Sequence, residues 1–534
     1  MSNAELNIVI GGAADQELHT IGIVLSRILV RAGYHIVATR SYDLEIREGA
    51  GTFSVRASTK PIYAPQEPID ILVALNDETV ARHESELSLS GVIVANQDLG
   101  RDDQSCLNVP YTDLSEGTFV HVVALGVTCR LLGLEEALMA GVVEACFADE
   151  GDEVARGNRD SAVNGYRWVS EQAFEFPPLP PSEVSSSRIA MTGNDAIALG
   201  ALSAGLKFLS LCPLSPASSI ATALRAHSQG MDVVVARAED GMAAINMASG
   251  ASLVGATSMA ATAGDGFAII GRSMTLSAAP QTPLVVVVAQ RRVPSPEPHP
   301  VTEQADLDLV LDSAEGRVPA AVLAPGDVEE CFSVIQKAFD IAQRSCGPVF
   351  VLTDQFLTDS CKGVEPFPVD TPELPATCVA PGSADEKYVT EHLRVREEDD
   401  EKRLKRLGVI KKELLHPQVT GDDPAELLLI SWGSTKGAVL EAVAMLRADG
   451  KTAAAIHVPQ IWPLPLDYLL EMLDRAEEVV CVEASATDQL AKLIQRETGF
   501  SVRRSVLRYD GLPVTPEFIL RELGRPVEGM TVNA

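Results

Sequence analysis

The sequence predicts an α/β protein made of three mostly parallel-sheet domains. Short apolar segments, such as 7–10 and 427–430, recur along the chain with amphipathic stretches between them. The segment 284–289 is apolar at every position, which is typical of a strand buried on both faces. A Pro- and Ser-rich segment, 176–187, predicts a linker between the first two domains.

The first predicted domain spans residues 1–175. A strand at 7–10 is followed by Gly11 and Gly12, and an amphipathic helix at 20–32 ends before a glycine. Further strands are predicted at 35–39, 71–74 and 91–95. This alternation favours a parallel sheet covered by helices.

The second domain, 188–360, has the strongest strand signals in the chain. Its predicted strands are 232–235, 284–289 and 349–352, and its predicted helices are 194–204, 218–227 and 240–251. Residues 361–425 form a connector, Pro-rich at 361–381 and then densely charged at 385–415. Charges of alternating sign predict a helix there that is solvated or that clasps a partner. The third domain, 426–534, has predicted strands at 427–430, 452–457 and 479–482.

Composition excludes several classes of function. The formal net charge of −31 repels phosphate backbones, so nucleic-acid binding is not expected. The nine cysteines include no C-x-x-C pair, so neither an iron–sulfur cluster nor structural zinc is expected in this chain. We predict a soluble cytoplasmic protein, because the start resembles no signal peptide and no apolar run reaches about 18 residues.

Glu239 is the first candidate functional residue. It stands where an apolar strand gives way to an Ala-rich helix, a position that predicts a poorly solvated carboxyl group at a strand end. Burial favours the protonated form, which suits a hydrogen bond to a ring nitrogen or acid–base chemistry. The alternative is that Glu239 caps the next helix.

Two further patterns suggest ligand contacts. Gly264 and Gly266 flank an aspartate and allow close backbone approach to a ligand, although a structural turn is the alternative. Arg291 and Arg292 follow the most apolar strand, where a guanidinium can pair with a carboxylate. A surface salt bridge is the alternative reading of the arginines.

Six ordered motifs now support a family resemblance. They are GNDAIALGA at 193–201, CPLSP at 212–216, EDGMAAI at 239–245, AGDGF at 263–267, QRRVPSPE at 290–297 and TEQADL at 302–307. Together they resemble the α subunit of 2-oxoacid:ferredoxin oxidoreductases, in the form with a γ domain fused in front. The resemblance is strong in the second domain, fair in the third, which is similar to the transketolase C-terminal domain, and weak in the first.

The resemblance implies an activity and a site. The middle domain would be a pyrimidine-binding domain for thiamine diphosphate, with Glu239 bonded to the aminopyrimidine ring. Arg291 would bind the 1-carboxylate of the 2-oxoacid, and Ser215 its carboxylate or carbonyl. Pro213, Gly264 and Gly266 would line the cofactor pocket. The enzyme would decarboxylate the oxoacid, pass electrons to ferredoxin and form acyl-coenzyme A.

Two loops depart from the family pattern. Arg292 replaces a glycine in the substrate loop, and a second cation there favours 2-oxoglutarate over pyruvate. However, neighbours on an extended segment point to opposite sides, which weakens this argument. In the first domain, Ala14 and Gln16 replace glycines, and Asp15 would repel a phosphate. The loop 11–17 is therefore expected to serve subunit packing or to shape the coenzyme A approach.

The resemblance also implies a partner. A β subunit would hold the diphosphate through Mg²⁺ and carry the [4Fe-4S] cluster, because this chain has neither pattern. Ferredoxin would dock on that subunit, since the acidic charge here repels it. An α/β pair doubled to a heterotetramer is expected. The alternatives are pyruvate or a branched-chain 2-oxoacid as substrate, a non-catalytic scaffold of this fold, and a transketolase-like or acyl-transfer enzyme that uses no ferredoxin.

Overall fold

The computed structural model describes residues 4–13, 18–42, 51–99, 105–116, 121–182, 187–270, 282–291, 301–313, 320–368 and 393–524. These residues form three β-sheets connected by helices, and parallel strand pairs predominate over antiparallel ones. The predicted fold class is confirmed. The chain divides into two compact units, residues 1–191, 360–367 and 515–534 in one, and 192–359 and 368–514 in the other.

The first unit contains an eight-stranded mixed sheet. In spatial order its strands are Cys106–Val109, Leu87–Asn96, Ile69–Ala74, Glu5–Gly12, Gly51–Ser58, His35–Tyr42, Cys361–Val364 and Ile189–Thr192. Its helices are Leu18–Arg31, Asp77–His83, Tyr111–Leu114, His121–Leu131, Glu136–Cys146, Asp152–Ser170 and Pro516–Glu522, with short 3₁₀ turns at Glu84–Glu86, Gln97–Leu99 and Ala148–Glu150. The strand Ile69–Ala74 is buried along its whole length, as expected for a strand inside a sheet.

Two late segments belong to this first unit, which differs from the predicted domain boundaries. The strand Cys361–Val364 pairs antiparallel with His35–Tyr42, although it was assigned to a connector. Near the end of the chain, Thr515 donates a hydrogen bond to Glu67 at 2.8 Å, and Arg521 pairs with the same carboxylate at 2.9 Å. Pairing between segments far apart in sequence explains the difference.

The second unit begins with a seven-stranded sheet. Its spatial order is Gln460–Trp462, Ala321–Leu323, Pro348–Asp354, Leu284–Gln290, Ser258–Ala263, Phe208–Leu211 and Val234–Arg237, parallel except for the first strand. Its helices are Gly193–Ser203, Ser219–His227, Gly241–Leu253, Gly264–Ala268, Leu307–Asp312, Val328–Ser345 and Gln355–Asp359. The strand Val234–Arg237 forms an exposed edge of this sheet.

A five-stranded sheet completes the second unit. Its order is Gln418–Gly421, Ala453–His457, Leu427–Ser431, Glu478–Glu483 and Arg504–Leu507. Its helices are Lys436–Ala448, Leu466–Arg475 and Gln489–Thr498, with a 3₁₀ turn at Gly433–Thr435. The charged segment contains the helix Leu393–Ile410, which ends five residues before the predicted end at 415, and residues 385–392 lie outside the described residues.

The two sheets of the second unit share a hydrophobic core. Trp462 pairs with Val322 across the edge of the seven-stranded sheet, so the third predicted domain adds a strand to the second. A buried ion cluster strengthens this connection. Glu330 lies 2.6 Å from the Lys436 ammonium and 3.1 Å from the His457 ring, which holds the pKa of Glu330 well below its usual range.

Most of the described cysteines are free thiols. Among the described cysteines, seven are free thiols and Cys346 is disulfide-bonded, which the sequence did not predict. Cys481 is fully buried, whereas Cys146 is only half-buried. No helix in the described ranges has the length and apolarity needed to cross a bilayer.

Candidate functional site

The predicted site residues follow four neighbouring strands of the seven-stranded sheet. Arg291 follows Leu284–Gln290, Gly264 follows Ser258–Ala263, Pro213 and Ser215 follow Phe208–Leu211, and Glu239 follows Val234–Arg237. These strands are adjacent and parallel, so their carboxyl ends meet at one edge. In open α/β sheets, ligands bind in the crevice at this edge.

The loop with Pro213 and Ser215 leaves both residues exposed. The preceding Cys212 is buried, and burial raises the pKa of its thiol. Asp240 raises this pKa further and Arg291 lowers it, so both charges lie close to the loop. The loop therefore lies close to Asp240 and Arg291, which follow two other strands of the same sheet.

A buried asparagine anchors this loop. Asn194, in the first turn of the helix Gly193–Ser203, donates hydrogen bonds from Nδ2 to the Pro216 carbonyl at 3.0 Å and to the Ser219 hydroxyl at 2.5 Å. The peptide bond before Pro216 is cis. The GNDAIALGA motif thus acts in part by holding the loop.

Glu239 separates the edge strand from the helix Gly241–Leu253. The helix cap is Asp240, whose Oδ1 accepts a hydrogen bond from the Ala243 N–H at 2.7 Å, so the capping role considered for Glu239 is wrong. Glu239 is exposed. The prediction of a poorly solvated carboxyl group is therefore wrong for the chain by itself, and only a covering chain or ligand could desolvate it.

The glycines of the site allow close packing between backbones. A Cβ atom on Gly241 would lie 2.2 Å from the Gly266 carbonyl oxygen, and one on Gly264 would lie 2.4 Å from an Asp306 carboxylate oxygen. The segment Gly264–Ala268 is a short helix and not the turn that was considered. These glycines bring two helix starts together beneath the candidate site.

Arg291 lies next to the Ser215 loop. Its Nη1 donates to the Ser215 carbonyl at 3.4 Å, and the residue is half-buried. The Ser215 hydroxyl makes no hydrogen bond to any described residue. Arg292 lies outside the described residues, so its place relative to this pair stays a prediction.

The TEQADL segment links this region to the five-stranded sheet. Gln304 is buried, donates from Nε2 to the Trp432 carbonyl at 2.8 Å and accepts from the Ala484 N–H at 2.8 Å. The Asp306 N–H donates to Gln290 Oε1 at 3.1 Å. This network fixes the end of the strand that precedes the predicted substrate arginine.

Two buried carboxyl groups stand at strand ends in the second unit. Burial raises the pKa of Asp354 to about 6, although the Ser434 hydroxyl and the Leu357 N–H donate to it. Burial raises the pKa of Glu483 to about 7, although Glu483 accepts from Trp432 Nε1 at 3.2 Å. Both groups are enclosed by protein, which indicates structural roles.

Comparisons with known proteins cover most of the chain. Residues 199–398 match the family "Pyruvate flavodoxin/ferredoxin oxidoreductase, thiamine diP-bdg", 7–168 match "Pyruvate ferredoxin/flavodoxin oxidoreductase", and 425–519 match "Pyruvate:ferredoxin oxidoreductase core domain II". The chain is 25% identical to the 2-oxoacid:ferredoxin oxidoreductase subunit alpha of Saccharolobus solfataricus, over 95% of both chains. It is 28% identical to the 2-oxoglutarate oxidoreductase subunit KorA of Mycobacterium tuberculosis, over 92% of this chain and 86% of that one.

The chain is similar to the α subunits of 2-oxoacid:ferredoxin oxidoreductases over most of its length. The predicted resemblance is confirmed. A solved structure supports the fold of this chain at 24% identity and a TM-score of 0.88, covering 98% of this chain and 99% of that chain. That structure is a 2-oxoglutarate:ferredoxin oxidoreductase from Magnetococcus marinus with 2-oxoglutarate, coenzyme A and succinyl-CoA bound.

Sequence reasoning missed the residues that position the candidate site. Asn194 and Gln304 both stand inside motifs that were recognised, yet their hydrogen bonds join segments 22 and 128 residues away. A buried polar side chain needs a partner. The signal that could have found them is an Asn or Gln inside an otherwise apolar motif.

Proposed function

We propose that this chain is the α subunit of a thiamine-diphosphate-dependent oxidoreductase that converts 2-oxoglutarate to acyl-coenzyme A and passes electrons to ferredoxin. The observation that carries the proposal is the convergence of Glu239, Ser215 and Arg291 at the carboxyl ends of adjacent parallel strands. A carboxylate, a hydroxyl and a guanidinium in one crevice suit an acid–base step on a carboxylate-bearing substrate.

The described residues fit the pyrimidine end of thiamine diphosphate. Glu239 presents an exposed carboxyl group at a strand end and would hold the ring through a hydrogen bond, with Pro213 beside it. Gly264 and Gly266 would keep the neighbouring helix close to that ring. When bound, the cofactor supplies the carbanion stabilisation that decarboxylation of a 2-oxoacid requires.

The substrate would be held by the two other residues of the crevice. Arg291 would pair with the 1-carboxylate, because a guanidinium matches a carboxylate bidentately. The Ser215 hydroxyl has no partner among the described residues and would donate to the same end of the substrate. Together they would orient the oxoacid toward the cofactor.

The choice of 2-oxoglutarate rests on the second arginine of the substrate loop, Arg292, which would meet the distal carboxylate. Pyruvate or a branched-chain 2-oxoacid is the alternative substrate. A non-catalytic scaffold is the alternative function, motivated by the altered loops at 11–17 and 292–300.

We assign the Mg²⁺ ion, the [4Fe-4S] cluster and the ferredoxin contact to a β subunit. The exposure of Glu239 supports this assignment, because a functional carboxyl group of this kind needs a covering chain. The absence of C-x-x-C spacing among the nine cysteines is consistent with it. We place the assembled enzyme in the cytoplasm.

The test is Glu239→Gln in the complex reconstituted with its β subunit. Dye reduction with 2-oxoglutarate and coenzyme A should fall by about 100-fold or more, because the amide cannot exchange the proton. Glu426→Gln, at another exposed glutamate of the same unit, is the matched control and should keep full activity. Unchanged turnover in Glu239→Gln would exclude Glu239 from the mechanism, and a wild-type complex inactive on every 2-oxoacid of a panel would favour the scaffold.

A further inference from the structure

An open cavity of about 270 Å³ lies beside the candidate site, between the helix Ser219–His227 and the edge of the seven-stranded sheet. Its lining includes Leu211, Pro213, Ser218, Thr222, Arg225 and Arg237. The sequence did not predict this cavity. Its lining is polar and cationic on one side.

The helix places one set of these side chains by its periodicity. Ser218, Thr222 and Arg225 are spaced i, i+4 and i+7, so they share one helix face. Ser218 precedes the helix without capping it. The hydroxyls of Ser218 and Thr222 make no hydrogen bond to any described residue, so they can donate to a ligand.

The sheet places the other set by its register. Leu211 and Arg237 are register partners in a parallel pair, so their side chains stand on the same face. The Ala238 N–H bonds to the Leu211 carbonyl at 2.8 Å, which extends the pairing by one residue. Pro213 and Glu239 come two residues after this pair, and the cavity therefore borders the candidate site.

The cavity is lined by positive charge in a chain that is strongly acidic overall. Arg225 and Arg237 are exposed and form neither an ion pair nor a hydrogen bond with a described residue, in a protein with a formal net charge of −31. Two guanidinium groups that line one cavity repel each other unless an anion lies between them. Guanidinium groups pair most strongly with carboxylates and phosphates.

We infer that this cavity binds an oxyanion. Its volume is at the lower end of ligand pockets, so it suits a small acid or one anionic group of a larger molecule. Two reactants of the proposed reaction carry such a group, and the assignment to either one rests on the proposed function. They are the distal carboxylate of a dicarboxylic 2-oxoacid and a phosphate of coenzyme A.

The first experiment uses the purified full-length chain and inorganic phosphate alone. Calorimetric titration at constant ionic strength should show saturable binding that weakens at least 10-fold in Arg225→Ala and in Arg237→Ala. Arg503→Ala is the matched control, because Arg503 is also exposed and unpaired among the described residues. Binding that is absent in the wild type, or equal in all four proteins, overturns the inference.

The second experiment identifies the source of the oxyanion in the reconstituted complex. An increase of KM for 2-oxoglutarate in Arg237→Ala, with KM for pyruvate and coenzyme A unchanged, assigns the cavity to the distal carboxylate. An increase of KM for coenzyme A alone assigns it to a phosphate. Unchanged KM values for all three overturn the link to the reaction. A complex inactive on every oxoacid refutes the proposed function, whereas phosphate binding lost in the variants still supports the oxyanion site.

Discussion

Glu483 shows how a single buried carboxyl group links packing to pH. It is fully buried, and it accepts hydrogen bonds from Trp432 Nε1 at 3.2 Å and from the Leu490 N–H at 3.0 Å. These donors favour the ionised form, yet burial outweighs them and raises the pKa from 4.5 to about 7. The folded state therefore binds this proton more tightly than the unfolded chain does.

We predict that Glu483→Gln alters the pH dependence of the free energy of unfolding. The wild-type contribution is fully present below pH 4.5 and is lost as pH rises through about 7, which corresponds to roughly 3 kcal/mol at most. Glutamine stays neutral, so the variant should gain stability relative to the wild type between pH 5 and pH 8 in urea unfolding. A stability difference that is the same at both pH values would contradict the raised pKa.

The candidate site could be predicted at the residue level only where a motif identified the residue. Glu239 and Arg291 follow strands that the apolar pattern indicated, whereas Ser215 was identified by its motif alone, because the strand Phe208–Leu211 was not predicted. The solvation of Glu239 could not be predicted, because it depends on what covers the strand end. The role of Asn194 could not be predicted either, because only the tertiary fold brings its hydrogen-bond partners close to it.

The helix Gly241–Leu253 depends on one close backbone contact. Gly241 packs against the Gly266 carbonyl, where a Cβ atom would approach to 2.2 Å, whereas Gly250 in the same helix has no neighbour within 4 Å of such an atom. A side chain is therefore excluded at Gly241 and can be accommodated at Gly250, although both residues lie in one helix.

We predict opposite effects for alanine at these two positions. Gly241→Ala should destabilise the protein by about 1–3 kcal/mol, because the carbonyl of Gly266 must move. Gly250→Ala should stabilise it by up to about 1 kcal/mol through helix propensity. Thermal unfolding of both variants checks this, and a Gly241→Ala protein as stable as the wild type would show that the two helix starts are free to separate.

At the element level, the sequence predicted three strands of the second domain and missed others, as well as segments that return from a distance. The missed strands of that domain include Phe208–Leu211, Ser258–Ala263 and Ala321–Leu323. Residues 284–289 are apolar throughout and were identified, and the strand extends one residue further, to Gln290. Cys361–Val364 is a short strand after a helix, and nothing local shows that it pairs with His35–Tyr42. Long-range pairing is a property of the folded chain and not of a local window.

Charge dominates the behaviour of the whole molecule. The chain carries 74 acidic and 43 basic residues, so compacting it brings like charges together. Ion pairs between oppositely charged side chains offset this repulsion only in their own surroundings. Among the described ion pairs, the cluster of Glu330 with Lys436 and His457 is nearly buried and therefore poorly screened by salt.

We predict that the melting temperature rises by several degrees between about 0.05 M and 1 M KCl. Screening shortens from more than 10 Å to about 3 Å over this range, which weakens the surface repulsion, whereas the buried Glu330 cluster loses little. Potassium chloride is chosen because sulfate would also strengthen burial through surface exclusion.

Thermal unfolding followed by circular dichroism gives the measurement, with Lys436→Met as the control. This variant should melt lower at every salt concentration, because it leaves Glu330 buried without its cation, and yet keep the same upward slope. A melting temperature that falls with salt would mean that surface ion pairs, and not net repulsion, govern the stability of this chain.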